Sequence, residues 1–397
     1  MTKKWVNIAD VLFFQEGPGV RNTQYTTSGV KLLNVANLVD GKVDLSKSDR
    51  YISEEEAYGK YRHFLCDDGD FVIASSGIKV EYIDKKMGFV DASMLPLCMN
   101  TSTIRFKVLD GNQLRIRYFM YYLKSKHFKE QLTKQITGSA QLNYGPSHLK
   151  KMIMPLIDIT VQDEIISCMD KLQSIIETRQ RELIELDRLM KARFVELFGD
   201  PRSNPFGFEK KRLKDTCKVI TGNTPSRAIA EYYGDYIEWI KTDNIVSGIL
   251  NPTQATESLS EKGMNVGRTV EKDSILMACI AGSIASIGRV CITDRTVAFN
   301  QQINAVVPEQ YNILFLYVLF QMSKDYLVED INMALKGILS KSKLEEKEFI
   351  IPPMDLQEQF SDFVKQVNKS KFDTMTFAPI YAIINLYLHT YFYQGRR

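Results

Sequence analysis

The sequence predicts an α+β protein with two similar domains, separated by long helices that pair as an antiparallel coiled coil and give a pseudo-two-fold arrangement. Three observations support this prediction. A sparse pattern of residues occurs twice in the same order, a heptad-like helix lies between the two copies, and each copy mixes short strands with helices. No regular alternation of strand and helix appears, which argues against a doubly wound sheet.

The duplication is visible in the spacing of matched residues. Ile8, Asp10 and Gly17 match Leu213, Asp215 and Gly222 at an offset of 205 residues. The matches that follow along the chain are Asn37 and Gly41 with Asn244 and Gly248 (offset 207), residues 70–73 with 273–276 (203), residues 118–123 with 316–321 (198), and Gln162 with Gln357. Offsets that drift while the order is kept indicate loops that changed length around one scaffold.

The connector between the copies has the apolar periodicity of a coiled coil, with steps of three and four residues. Its predicted helix begins near Asp163 and ends at Phe198, so its about 36 residues would span roughly 54 Å. The predicted partner is a shorter stripe that begins at the equivalent place in the second copy. The contact positions are Ile165, Met169, Leu172, Ile176, Leu183, Leu186, Met190 and Leu197 in the first helix, and Leu356, Phe360, Phe363, Val364 and Val367 in the second. The alternative is that each helix packs on its own domain.

These features divide the chain into five segments. We expect a first domain at residues 1–158, a spacer helix at 159–200, a second domain at 201–353, a short second spacer helix at 354–375 and an atypical apolar tail at 376–397. Pro379 should break a helix in that tail, which we interpret as a truncated or altered second helix. Within the domains we expect strands at 71–74, 274–277 and 288–292, and helices at 114–132 and 312–328.

Composition excludes several classes of protein. With 397 residues, 44% of them hydrophobic and 25% charged, the chain can bury two ordinary cores. Six cysteines without a Cys-x-x-Cys pair, and an N-terminus unlike a signal peptide, predict reduced thiols, a cytoplasmic location and no membrane span. The net charge of +3 gives no argument for nucleic-acid binding, although a local basic face is possible.

Catalytic patterns are missing from the sequence. No G-x-x-x-x-G-K-[ST] loop is present, which argues against a helicase or a translocating ATPase. The four histidines show no metal-ligand spacing. We therefore predict no catalytic residue and no metal site.

In this order, the residues resemble the specificity (S) subunits of type I restriction-modification systems, over roughly residues 5 to 370. The resemblance rests on residues 138–141 through Pro155, residues 162–165, Leu183, Leu186, Met190, Phe194, residues 198–201, Leu213, Asp215, residues 221–225 and Trp239-Ile240. It implies two target-recognition domains, each reading one half of a bipartite asymmetric DNA site. It also implies helices that dock two methyltransferase (M) subunits, and separate motor-nuclease (R) subunits that cleave double-stranded DNA. S-adenosylmethionine, ATP and Mg would then belong to partner subunits, with no cofactor on this chain.

Reading bases requires amide, guanidinium and hydroxyl groups on loops that enter the major groove, with cations on the flanking phosphates. A rod of the predicted length would separate two such readers by about one DNA turn of ~34 Å. The candidates in the first copy are Gln15, Arg21, Asn22, Gln24, Tyr25, Ser75, Ser76, Lys79, Ser139, Gln141, Asn143 and Tyr144. Those in the second copy are Asn223, Thr224, Ser226, Arg227, Lys241, Thr242, Asp243, Asn300, Gln301, Gln302, Lys336, Ser340, Lys341 and Lys343.

Two other classes of function are left open by the residues. A non-catalytic scaffold would bind proteins through the coiled-coil positions alone and would have no affinity for DNA. An enzyme of unrecognised type would show turnover as an isolated chain.

Overall fold

The structure, a computed structural model, describes residues 3–136, 143–331 and 337–375, together with Ile384, Leu386 and residues 390–392. The chain divides into two compact units. Unit 1 comprises Met1–Glu177 and Phe377–Arg397, and unit 2 comprises Thr178–Thr376. The border lies inside a long helix, whereas our predicted boundaries follow the ends of elements and stay predictions.

Unit 1 is an α+β fold. Its strands are β1 (Lys4–Asn7), β2 (Leu12–Glu16), β3 (Val30–Leu33), β4 (Leu38–Val39), β5 (Lys42–Val43), β6 (Tyr51–Ile52), β7 (Phe71–Ala74), β8 (Met87–Phe89), β9 (Leu97–Met99), β10 (Thr103–Val108) and β11 (Ile153–Leu156). Its helices are α1 (Ile8–Val11), α2 (Glu54–Tyr58), α3 (Ile116–Lys124), α4 (Lys126–Gln135), α5 (Pro146–Leu149) and the first half of α6 (Ile159–Phe198).

The central sheet of unit 1 has the strand order β2-β10-β7-β8, and all its pairs are antiparallel. Successive side chains of a strand point to opposite faces. Phe71 and Ile73 therefore face the helices, while Val72 and Ala74 face a second core formed with Leu33 and its neighbours. That second core is backed by a three-stranded sheet, β6-β3-β9, in which β3 and β9 are parallel.

Unit 2 repeats this plan. Its strands are β12 (Lys210–Arg212), β13 (Cys217–Thr221), β14 (Tyr233–Gly234), β15 (Ile237–Ile240), β16 (Ser258–Leu259), β17 (Thr269–Val270), β18 (Ile275–Ala278), β19 (Ile280–Ala281), β20 (Val290–Ile292), β21 (Val297–Phe299), β22 (Ile303–Pro308), β23 (Gly337–Ile338) and β24 (Glu348–Ile350). Its helices are the second half of α6, α7 (Glu261–Val266), α8 (Ile313–Met322), α9 (Lys324–Val328), α10 (Lys341–Glu346) and α11 (Met354–Met375).

The two units have matching sheets. The central sheet of unit 2 has the order β13-β22-β18-β20, strand for strand the equivalent of unit 1, and the parallel pair β15–β21 corresponds to β3–β9. The strand register corrects one predicted match. Ala74 of β7 pairs with Thr103, and Ala278 of β18 pairs with Ile303, so β7 and β18 are related by an offset of 204 residues and not 203. The predicted duplicated α+β fold is confirmed.

Close backbone approaches are duplicated as well. A Cβ added to Gly17 would lie 2.1 Å from the carbonyl oxygen of Asn100, and one added to Gly222 would lie 2.2 Å from that of Asn300. Only a residue without a side chain fits at either position. These matched glycines are thus explained by contact between chain segments that are distant in sequence.

Two helices were predicted as longer than they are. The 114–132 helix is divided into α3 and α4 at Ser125, whose hydroxyl accepts a hydrogen bond from the amide of Phe128 and so begins a new helix. The 312–328 helix is likewise divided into α8 and α9 at Ser323. Propensity alone did not indicate these breaks.

The long helix α6 has 40 residues and begins at Ile159, at the start of the expected spacer segment and four residues before Asp163, where the periodic pattern begins. Its first turn is fixed by buried Gln162, whose Nε2 donates to the carbonyl of Ile157 at 2.8 Å and whose Oε1 accepts from the amide of Arg115 at 2.9 Å. Gln357 repeats this arrangement in α11, with the carbonyl of Pro352 at 2.8 Å and the amide of Asn312 at 2.9 Å. Each glutamine thereby fastens a long helix to the core of its unit.

The predicted coiled-coil positions pack differently in the two units. In unit 1, Ile165 and Met169 are buried in the domain core, as the alternative interpretation expects. In unit 2, α6 and α11 pack against each other in antiparallel directions. The rings of Phe194 and Phe360 are 5.5 Å apart, and Asp187, about two turns before Phe194 on α6, pairs with Lys371, which is later on α11 than Phe360. The remaining predicted positions are buried or half-buried, namely Leu172, Ile176, Leu183, Leu186, Met190, Leu197, Leu356, Phe363, Val364 and Val367.

The described residues of the tail are helical and lie in unit 1. Phe392 is fully buried, with its ring 5.3 Å from that of Tyr118 and 5.5 Å from that of Tyr122, and Ile384 and Tyr391 pack beside it. Pro379, on which the predicted helix break rests, lies outside the described residues. The tail therefore contributes an apolar side chain to the first core.

Candidate functional site

The most organised group of candidate residues in unit 2 surrounds Trp239 at the end of β15. The Arg227 guanidinium lies 4.4 Å from the ring centre of Tyr233 and 5.2 Å from that of Trp239, and the Lys241 ammonium lies 5.1 Å from Trp239. Both cations bind Glu257, with Arg227 at 2.6 Å. We call these five residues the Arg227 cluster.

Electrostatics in the Arg227 cluster favour a charged carboxylate. Hydrogen bonds from Lys241 and then Arg227 lower the pKa of Glu257 below its usual value. The cluster carries two positive charges and one negative charge, so its net charge is positive at neutral pH. Cation–π contact with two rings further restricts the position of the guanidinium.

The loop before Arg227 is held against Trp239 by hydrogen bonds. The indole Nε1 of Trp239 donates to the carbonyl of Asn223 at 3.3 Å, and Asn223 Nδ2 donates to the carbonyl of Val266 at 2.8 Å. The hydroxyl of Thr224 donates to Gln301. Buried Asn223 Oδ1 has no hydrogen-bond partner within the described part of the chain.

Other candidates of unit 2 support the fold. Asn300 is buried and exchanges two hydrogen bonds with Gln302, and the carbonyl of Thr242 accepts one from Arg289. The Ser340 hydroxyl caps α10 by accepting from the amide of Lys343. Outside the Arg227 cluster, the exposed candidates are Thr224, Ser226, Asp243, Gln301, Lys341 and Lys343, and Lys336 lies outside the described residues.

In unit 1 the equivalent region carries a smaller group. The Arg50 guanidinium lies 5.2 Å from the ring centre of Tyr25, and the Tyr25 hydroxyl is 3.4 Å from both Arg50 and the amide of Asn100. Asn100 also donates to Asn34 at 2.8 Å. Unit 1 therefore has Arg50 on Tyr25 at this place, with Lys31 over Tyr51 at 5.2 Å on the neighbouring strands, whereas unit 2 has two cations that share one carboxylate over two rings.

Several unit 1 candidates are engaged within the fold. Gln15 accepts from buried Arg105 at 2.8 Å, and Gln24 donates to Glu56 at 2.6 Å. Ser75 and Tyr144 are buried: Ser75 donates to Glu16, and Tyr144 to the carbonyl of Ala74. Their burial assigns them a structural role, since a ligand could not reach them without rearrangement.

The remaining unit 1 candidates are more accessible. Ser76, half-buried, donates to Ser102 at 2.6 Å. The exposed candidates are Arg21, Asn22, Lys79 and Asn143, and Ser139 and Gln141 lie outside the described residues.

Sequence reasoning missed Glu257, Tyr233 and Arg50. Base reading was assigned mainly to amides, cations and hydroxyls, and Asp243 was the one acidic candidate. Glu257 also lies 16 residues from Lys241 and 30 from Arg227, with no local spacing to connect them. An aromatic-rich stretch at Tyr232–Tyr236 was the one available signal.

The outer surface of α6 within unit 2 is apolar in part. Ile184, Leu189 and Val195 are about half exposed. An open groove of about 710 Å³ is lined by Arg179, Glu182, Glu185, Leu186, Arg188, Leu189 and Ala192. Contiguous apolar patches that are rimmed by polar side chains mark partner-binding surfaces, whereas single exposed apolar residues are ordinary.

Among the residues that the structure describes, no group of His, Cys, Asp and Glu side chains is arranged to hold a metal ion. Within the same residues, every helix is too short or too polar to cross a membrane.

Comparison with known proteins gives consistent relatives. The chain is 33% identical over 146 residues to the Type I restriction enzyme HindI specificity subunit of Haemophilus influenzae, covering 35% of this chain and 31% of the relative. It is 24% identical over 302 residues to the MjaIX specificity subunit of Methanocaldococcus jannaschii, covering 70% of this chain and 68% of that protein. The match thus spans under a third of the first relative's length.

Solved structures show the same fold. The crystal structure of a type I restriction-modification S subunit from M. genitalium superposes with a TM-score of 0.59 at 14% identity, covering 100% of this chain and 97% of the other. A chain from a structure of type I R-M complex assembly and conformational transition gives 0.53 at 15% identity, with 98% and 97% covered.

The family model for the type I restriction modification DNA specificity domain matches twice, at residues 18–188 and 205–379. These two matches correspond to the two sets of equivalent sheets, and together they include most of the chain. The chain therefore belongs to the type I restriction modification DNA specificity domain family.

Proposed function

We propose that this chain acts as the non-catalytic DNA-recognition subunit of a cytoplasmic type I restriction-modification complex. Each unit reads one half of a bipartite asymmetric site in double-stranded DNA. The helices α6 and α11 dock two methyltransferase subunits, and separate motor-nuclease subunits join them. S-adenosylmethionine, ATP and Mg belong to those partners.

The single observation that carries the proposal is one scaffold with two different sets of loop residues. Matching sheets and matching glycine contacts keep the frame constant. The groups at the ends of equivalent strands differ, with Arg50 on Tyr25 in unit 1 and the Arg227 cluster in unit 2. A repeated frame with altered polar loops suits two readers of different sequence.

Docking of partners is supported by the half-exposed apolar residues of α6 in unit 2. Leu189 and Ala192 lie along the groove described above, flanked by Arg188 and Glu185. Burying such a surface against a partner helix would remove apolar area from water, which stabilises association. A scaffold without DNA affinity would use the same surface, so the experiment must separate the two.

The test is co-purification of this chain with the neighbouring methyltransferase, followed by methylome sequencing of cells with and without it. We expect a split methylated motif that disappears when the chain is deleted. Co-purification without any change in the methylome would favour the scaffold, and turnover by the isolated chain would favour an enzyme. Either result would contradict the proposal.

A domain exchange tests the independence of the two readers. Replacing residues 1–155 with the corresponding segment of another family member should change one half of the motif and leave the other half intact. If both halves changed together, the two units would not read independently.

A further inference from the structure

The Arg227 cluster differs from an ordinary surface ion pair in how firmly its cation is positioned. Arg227 keeps 57% of its side chain exposed although it binds Glu257 at 2.6 Å and contacts two aromatic rings. An unrestrained surface arginine loses much rotamer freedom on binding a ligand. Here the fold has already restricted that freedom before any ligand arrives.

The donors of Arg227 suit a base edge. A guanidinium has five N–H donors in a planar fork. Within the described residues, the Nη2 atom of Arg227 donates to Glu257, and the other N–H groups of the guanidinium have no acceptor and can donate to a ligand. Lys241 occupies the second oxygen of Glu257, so the carboxylate is neutralised and does not repel a nearby phosphate.

We propose that Arg227 is a specificity-determining residue of unit 2 that reads a guanine in the major groove, with Glu257 as its positioning residue. This inference rests on the proposed DNA-reading function and names the base class that the site takes. Paired donors of arginine match the O6 and N7 acceptors of guanine, which no other base offers on its major-groove edge.

Tyr233 and Trp239 serve as the floor that fixes the plane of the fork. Lys241, with 27% of its side chain exposed, is less accessible and neutralises Glu257 from the other side. The arrangement predicts that charge alone is insufficient at position 227, because lysine offers a point charge and no fork.

The experiment measures base preference in the assembled complex. The chain and its methyltransferase partner would be expressed with Arg227→Ala, Arg227→Lys or Glu257→Gln, and methylation would be read across the genome. Arg202→Ala is the matched control, because Arg202 is 67% exposed, binds Glu329 at 2.7 Å in the same unit, and lies outside the candidate loops.

We expect Arg227→Ala and Arg227→Lys to relax the motif at one guanine in a single half-site. The preference for guanine over other bases there should fall by about 5- to 150-fold, since one bidentate pair discriminates by roughly 1–3 kcal/mol. Glu257→Gln should relax the same position, and Arg202→Ala should leave the motif unchanged. The amount of complex recovered shows whether each variant folds. If the Arg227→Ala variant does not fold, the Arg227→Lys variant provides the test of base preference.

Three results would overturn the inference. An even loss of methylation at all sites, rescued by Arg227→Lys, would make Arg227 a phosphate contact. An unchanged motif in both Arg227 variants would exclude it from recognition, and relaxation at a position other than guanine would refute the base assignment. If no split motif depends on the wild-type chain, the proposed function itself fails, which is a different outcome from these three.

Discussion

Gln357→Ala is the sharpest test of how the long helices are attached. Gln357 is almost fully buried, its Oε1 accepts from the amide of Asn312, and its Nε2 donates to the carbonyl of Pro352. The substitution removes the side-chain partner of the part-buried amide of Asn312 and of the buried carbonyl of Pro352. Each such group costs about 1–3 kcal/mol, so we expect unit 2 to lose roughly 2–6 kcal/mol of stability.

The measurement is urea unfolding of the full chain followed by tryptophan fluorescence. The chain has two tryptophans, Trp5 in unit 1 and Trp239 in unit 2, so a Trp5→Phe background reports on unit 2 alone. Gln359→Ala is the matched control, because it makes the same change at an exposed position of α11. A Gln357→Ala effect within about 0.5 kcal/mol of that control would refute the reasoning, since surface changes usually fall in that range.

Three further predictions concern packing and thiol chemistry. Gly222→Ala should destabilise unit 2 strongly, because its Cβ would lie 2.2 Å from the carbonyl oxygen of Asn300, whereas Gly282→Ala, with nothing within 4 Å, should be tolerated in the same urea assay. Phe392→Ala should cost unit 1 about 3–5 kcal/mol, and an unchanged midpoint for Trp5 fluorescence would show that the tail is dispensable. Burial raises the pKa of the thiols of Cys66, Cys98, Cys217, Cys279 and Cys291 to about 12, so these five thiols stay protonated at neutral pH. At neutral pH, iodoacetamide should therefore modify half-buried Cys168 first in the native chain, and fast labelling of the other five before unfolding would contradict this.

The central sheets of the two units have the same strand order but different buried side chains. In unit 1 the central strand β10 carries buried Arg105, which binds Gln15, Asp70 and two backbone carbonyls. The equivalent position in strand β22 of unit 2 is Ala305, which packs in an apolar core. The same sheet order is therefore stabilised by a polar network in one unit and by apolar packing in the other.

The candidate site was predicted less completely than the fold. Arg227 and Lys241 were chosen from the sequence as cations on polar loops, and the structure brings them together on Trp239. Tyr144 and Ser75 were chosen by the same criterion and are buried. Residue type cannot distinguish these cases, because exposure depends on which loop covers which, and that is set by contacts between segments far apart in the chain.

The duplication, the α+β class, three of the strands to within two residues and the long helix could be predicted from the amino-acid order, because apolar periodicity and turn residues are local signals. The folded structure was needed to show that Gln162 and Gln357 fasten the long helices, that Phe392 enters the first core and that Glu257 joins two cations. Each of these contacts connects residues whose separation along the chain carries no periodic signal. The two glutamines and Phe392 are held because burial leaves polar groups and apolar rings no other partner, whereas part-exposed Glu257 is held by the charges of its two cations.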